Sequence, residues 1–98
     1  MDIKIERNDK ELIVALDGRL DTLSAPELED RIETELDDTE RLIFDMSGLR
    51  YISSAGLRVL LSSMKAMEDQ GSMTVRNVSS EVMDIFEVTG FADMLDIE

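Results

Sequence analysis

Two adjacent hydroxyls, Ser53 and Ser54, stand directly ahead of a long stretch with helical apolar spacing. A serine at the mouth of a helix can accept a bond from one of the backbone N–H groups left free in the first turn. Capping alone therefore accounts for a Ser-Ser pair in this position. An exposed hydroxyl there can also accept a phosphoryl group, which adds about −1.5 to −2 charge and strong acceptor oxygens. A helix N-terminus tolerates such an anion, because its free N–H groups and the macrodipole favour negative charge. Arg58, four residues beyond Ser54, falls one turn along the same face, where it can add a charge-assisted bond.

The remaining chemistry-bearing side chains are carboxylates. Asp21 closes the segment Gly18-Arg19-Leu20-Asp21, and Asp45 follows the apolar run Leu42-Ile43-Phe44. If these runs are parallel strands, both aspartates face one edge of a sheet. Carboxylates there can bind a cation or exchange protons, although no calcium-loop spacing is present, and an Asp in a turn equally bonds its own backbone. The chain contains no Cys and no His. Disulfides, thiolate metal sites, a Cys nucleophile and a Ser-His-Asp triad are thereby excluded. A small hydrolase built on paired carboxylates needs a closed pocket, for which a core of this size leaves little room.

The elements that must position these residues follow from periodicity. Ile3 and Ile5 alternate with polar residues as in a strand with one buried face, and residues 12–16 form a second, more apolar strand after the polar turn Asn8-Asp9-Lys10. Ala25, Leu28, Ile32 and Leu36 recur at helical spacing over residues 24–38, with Ser24 and Glu27 spaced as a capping box and Pro26 in the first turn. Residues 42–44 read as a short central strand.

A long helix is expected over residues 54–70, ended by Gly71. Its inner stripe is Leu57, Leu60, Leu61, Met64 and Met67, and its polar sector is Ser54, Arg58, Ser62, Lys65 and Asp69. A strand over residues 72–78 and a helix over 81–89, capped by Ser79 or Ser80 and closed by Gly90, complete the pattern. The tail, residues 91–98, suits a short helix or a strand. The order β-β-α-β-α-β-α with a short C-terminal element predicts an α/β fold, a small mixed sheet of four to five strands packed with helices.

The 98 residues are expected to form one domain, 1–98. A composition of 43% hydrophobic and 34% charged residues is globular rather than disordered. Ten Lys and Arg against 23 Asp and Glu leave a net charge of −13, which repels phosphate backbones and anionic lipid and argues against nucleic-acid or membrane partners. No apolar run approaches the roughly 20 residues of a membrane span. The start, Met1-Asp2-Ile3-Lys4, lacks the pattern of a secretion signal, so the cytoplasm is the expected compartment.

Three segments together resemble the STAS domain of bacterial anti-sigma factor antagonists. They are Gly18-Arg19-Leu20-Asp21 after an apolar strand, Leu42-Ile43-Phe44-Asp45 running through Leu49 and Tyr51-Ile52 into Ser53-Ser54-Ala55-Gly56-Leu57, and Ser79 to Gly90, where Ile85-Phe86 leads to Val88-Thr89-Gly90-Phe91. They fall in the family's order and spacing across nearly the whole chain. The resemblance implies a regulator without catalytic residues or cofactor. Such proteins bind an anti-sigma factor, typically also an ATP-dependent Ser/Thr kinase, and so release a sigma factor for transcription. The kinase phosphorylates the antagonist on a Ser at the start of the second helix, and a metal-dependent Ser/Thr phosphatase reverses this.

Ser54 is the matching hydroxyl, with Ser53 as the alternative acceptor. The family often has Asp where this chain has Ser53, and a second Ser or Thr where it has Ala55. The partner-binding residues implied are Asp21, Thr22, Ser53, Ser54, Ala55, Gly56, Leu57 and Arg58. A phosphate that adds bulk and charge under a docked partner, at a penalty of about 3–4 kcal/mol, weakens binding several-hundred-fold. The alternative within the same resemblance is an unphosphorylated STAS subunit of a transport or signalling complex, docked to an ATPase.

Overall fold

The computed structural model describes residues 1–98. Strands β1 (Asp2–Asn8) and β2 (Glu11–Leu20) form the expected antiparallel hairpin, with Asp9 in the left-handed region at the turn. Strand β3 (Arg41–Ile52) lies parallel to β2, and β4 (Ser72–Arg76) lies parallel to β3. The result is a mixed four-stranded sheet in the order β1-β2-β3-β4. Helix α1 (Ala25–Glu33) connects β2 to β3, and helix α2 (Ser54–Met67) connects β3 to β4. Helices α3 (Ser80–Thr89) and α4 (Phe91–Met94) follow, separated by Gly90 at φ 85°.

Of the two forms expected for the tail, the short helix is present and the strand is reduced to one bridge. After α4, Ile97 makes a single parallel bridge to Val75, with Val75 N–H donating to the Asp96 carbonyl and Glu98 N–H to the Val75 carbonyl, each at 2.9 Å. This rung covers part of the outer edge of β4, which otherwise presents unpaired backbone groups.

One layer of buried side chains joins the sheet to its helices. Leu12, Val14 and Leu16 of β2 and Leu42, Phe44 and Met46 of β3 belong to the same cluster as Leu28, Ile32, Leu57, Leu60, Val82 and Phe86. Fully burying a side chain of this size contributes about 1.5–3 kcal/mol, and their clustering sets which helix faces turn inward.

Strand β3 runs well beyond the apolar triplet that marks it. Its inward residues change spacing from two to three, through Met46, Leu49 and Ile52. The cause is a pair of register irregularities against β2, between Ala15 and Asp17 and between Gly18 and Arg19, each inserting one residue into β3.

Three helix expectations require correction. The first helix ends at Glu33 rather than at residue 38, and Leu36–Asp38 is a separate 3₁₀ turn. Asp37 and Asp38 would place negative charge at the negative end of the helix dipole. Arg7 instead holds this turn against β1, donating to the Glu35 carbonyl at 2.6 Å and to Thr39 Oγ1 at 3.0 Å.

The second helix ends at Met67, not at residue 70, and the Gln70 side chain donates back to the Thr39 carbonyl at 2.7 Å. The inner stripe of that helix is also rotated: Val59 and Ser63 are buried, whereas Leu61 and Met64 are only half-buried. Ser63 is tolerated inside because its hydroxyl donates to the Val59 carbonyl of its own helix at 2.8 Å.

Candidate functional site

Strands β2 and β3 finish side by side. Leu20 pairs with Ile52, and the Ser53 N–H donates to the Leu20 carbonyl at 2.9 Å. The turn leaving β2 and the entrance of α2 therefore form one continuous edge, carrying Asp21 and Thr22 on one side and Ser53 and Ser54 on the other.

The two serines are not equivalent. Ser53 is the N-cap, extended at φ −96° and ψ 176°, and its Oγ accepts the Gly56 N–H at 3.4 Å. It is half-buried, whereas Ser54, the first helical residue, is exposed. Arg58 is exposed one turn further along, and the chain's ion pairs lie elsewhere, at Arg7–Glu35 and Arg41–Glu11. The whole expected polar sector (Ser54, Arg58, Ser62, Lys65 and Asp69) faces outward.

Beneath the serines, Ala55 is half-buried, and Gly56 and Leu57 are buried. A Cβ on Gly56 would stand 2.7 Å from Leu20 Cγ and 2.8 Å from Ile52 Cγ1. The missing side chain lets α2 settle onto the ends of both strands. Gly56 and Leu57 thus fix where the serines stand, while Thr22, Ser54 and Arg58 offer surface.

Across the edge, Asp21 braces its own turn. Its Oδ1 accepts the N–H groups of Leu23 at 3.0 Å and Ser24 at 3.1 Å, while Ser24 Oγ accepts the Asp21 N–H at 2.9 Å and donates to the Arg19 carbonyl at 2.8 Å. This replaces the expected capping box. Ser24 makes no side-chain cap bond, because its hydroxyl is already engaged with Asp21 and Arg19. The bond from the Ser24 N–H, helped by that from the Leu23 N–H and by the charge of Arg19, holds the Asp21 carboxyl below its usual range.

The expectation that Asp45 shares this edge is also corrected. Asp45 pairs with Arg76, the last residue of the shorter strand β4, and lies seven residues before Ile52, roughly 20 Å along β3. Its Oδ1 accepts from Ser47 N–H and from Asn77 Nδ2, each at 3.1 Å. Partial burial pushes the Asp45 carboxyl up. The Asn77 and Ser47 bonds, with Arg76 nearby, outweigh that and leave it lowered. It secures the turn after β4, where Asn77 sits in the left-handed region, and contributes nothing to the serine edge.

The STAS domain profile matches residues 2–98. The chain belongs to the STAS domain family. This STAS chain is 32% identical to BtrV of Bordetella bronchiseptica, named a candidate anti-sigma factor antagonist, over 99% of its own length and 85% of that protein's. It is 26% identical to the anti-sigma-B factor antagonist of Bacillus subtilis, over 99% of this chain and 90% of that one. Among solved structures, the Bacillus cell fate determinant SpoIIAA in its phosphorylated form superposes with a TM-score of 0.78, at 19% identity, covering 99% of this chain and 91% of that one. At that identity the likeness is one of fold.

Sequence reasoning passed over three residues of this STAS chain at the same edge. The Arg19 guanidinium lies 4.3 Å from the Tyr51 ring centroid, a contact legible only once the β2–β3 register pairs the two residues. Leu23, between Thr22 and Ser24, is 90% exposed. Its signal was present: an apolar residue inside a polar turn, outside the apolar stripe of α1. No helix of the chain is long and apolar enough to cross a membrane.

Proposed function

We propose that residues 1–98 act as one STAS domain that binds an anti-sigma factor of the Ser/Thr-kinase type and so frees a sigma factor in the cytoplasm. Phosphorylation of Ser54 by that kinase switches the binding off, and a metal-dependent Ser/Thr phosphatase restores it. The observation that carries this reading is the division of labour between neighbours. Ser53 is engaged as the helix cap, and Ser54 stands exposed beside the braced Asp21 turn. The names of the relatives, an anti-sigma-B factor antagonist among them, point the same way.

In this reading the domain contributes only an acceptor. Ser54 Oγ takes the γ-phosphoryl group of ATP, ADP leaves, and the hydroxyl proton passes to the kinase, so no catalytic residue or cofactor is assigned to this chain. A dianion at the first position of α2 meets free N–H groups and the positive end of the dipole, with Arg58 one turn away. The domain keeps its fold, and only the surface presented to the partner changes. Asp21, Thr22, Ser53, Ser54 and Arg58 form that surface, with Ala55, Gly56 and Leu57 setting its height.

Incubation with the cognate kinase and ATP, followed by mass-spectrometric mapping, tests the acceptor. The expected label is on Ser54. Label found only outside Ser53 and Ser54 overturns the switch.

A further inference from the structure

We propose that Leu23 is the apolar anchor of this docking edge, seating in a shallow apolar pocket of the anti-sigma factor whose rim is basic. The inference rests on the partner reading above and adds the residue that supplies contact, as distinct from the residue that supplies control.

A single exposed leucine is ordinary on a protein surface. The manner of its presentation here is not. Leu23 is 90% exposed, yet its own N–H is held at 3.0 Å by Asp21 Oδ1. The turn is closed on both flanks, by Ser24 Oγ to the Arg19 carbonyl at 2.8 Å and by Ala25 N–H to the Asp21 carbonyl at 2.8 Å. A turn already ordered by these bonds adds little backbone-ordering cost when a partner covers it, so more of the apolar contact made by Leu23 is retained as affinity.

Position supplies the second argument. The turn carrying Leu23 follows directly on the strand end that the Ser53–Leu20 bond ties to the α2 entrance, so Leu23 and Ser54 both flank the same β2–β3 edge. The surroundings specify the partner's chemistry. The Asp21 carboxyl is held ionised by its own bonds, Glu27 is exposed in the first turn of α1, and the whole chain carries −13. A basic rim around an apolar seat complements that arrangement.

The test is the affinity of the unphosphorylated domain for the cognate anti-sigma factor, measured by titration calorimetry, for wild type, Leu23→Ala, Leu23→Met and Ser54→Asp. Leu23→Ala is expected to weaken binding by about tenfold or more, and Leu23→Met to stay within about threefold of wild type, with thermal midpoints unchanged for both. Unchanged affinity of Leu23→Ala alongside a large loss in Ser54→Asp overturns the anchor and leaves the switch standing. Loss of affinity in Leu23→Ala that tracks a lowered thermal midpoint also overturns it. Failure of the wild-type domain to bind at all overturns the partner reading and the anchor with it.

Discussion

The backbone N–H of Ser53 meets the carbonyl of Leu20 at 2.9 Å, and that bond makes one surface of two segments 33 residues apart in the chain. It extends the parallel pairing of β2 and β3 by one rung past Ile52. The turn that carries Asp21 and the helix entrance that carries Ser54 are therefore fixed relative to each other by backbone rather than by side chains. Modification of the serine can then alter what a partner meets without loosening the frame beneath it.

Gly56→Ala tests how tightly that frame is closed. The new methyl would lie within 3 Å of Leu20 and Ile52, both fully buried, so either α2 lifts from the strand ends or the core shifts. A loss of about 1–3 kcal/mol in urea denaturation is expected, despite the better helix propensity of alanine.

Ser53→Ala removes the cap of α2. At 3.4 Å the bond to Gly56 N–H is long, so the loss is expected near the lower end of the range of about 0.5–2 kcal/mol for such substitutions. Ser54→Ala, at an exposed position that caps nothing, is expected to change stability by less than about 0.5 kcal/mol. Chemical denaturation of the two variants side by side checks the contrast.

Much of the fold was legible because its signals are local. Alternation at Ile3 and Ile5, helical periodicity after Ser54, and a serine cap at Ser79 or Ser80 with the Gly90 stop all describe short stretches; the structure forms these elements and selects Ser79 as the cap. Long-range features were hidden. The two irregularities in β3 change the inward period from two to three, so residues past Phe44 did not read as strand. The Ser24–Glu27 spacing fitted a capping box, but Ser24 bonds to the Arg19 carbonyl and the Asp21 N–H, contacts that a local motif cannot register. At the site, Ser54 could be placed from helical phase alone. Leu23 carried a local signal as an apolar residue in a polar turn, but its 90% exposure depends on which elements pack over that turn, which spacing does not register.

Asp45 should give the domain an acid-sensitive element away from the serine edge. Its carboxyl is lowered from 3.8 in the folded state, so its charge-assisted bonds to Ser47 and Asn77 stabilise the fold fully above that value and are lost as pH falls through the folded one. Wild type is therefore expected to be more stable than Asp45→Asn by a constant margin from pH 5 to 7. The margin should close as pH drops below about 4. Thermal melts of both proteins across that range check the sign; a margin that widens on acidification contradicts the assignment.

The central claim concerns charge at one exposed hydroxyl, and the affinities of Ser54→Asp and Ser54→Ala for the anti-sigma factor, measured together with their thermal midpoints, test it most directly. Ser54→Ala is expected to bind as wild type does. Ser54→Asp is expected to bind at least about a hundredfold more weakly, with a midpoint equal to or above that of wild type, since the helix entrance accommodates an anion. Equal affinities for the two variants, or a Ser54→Asp protein that loses binding only because it melts early, would contradict it.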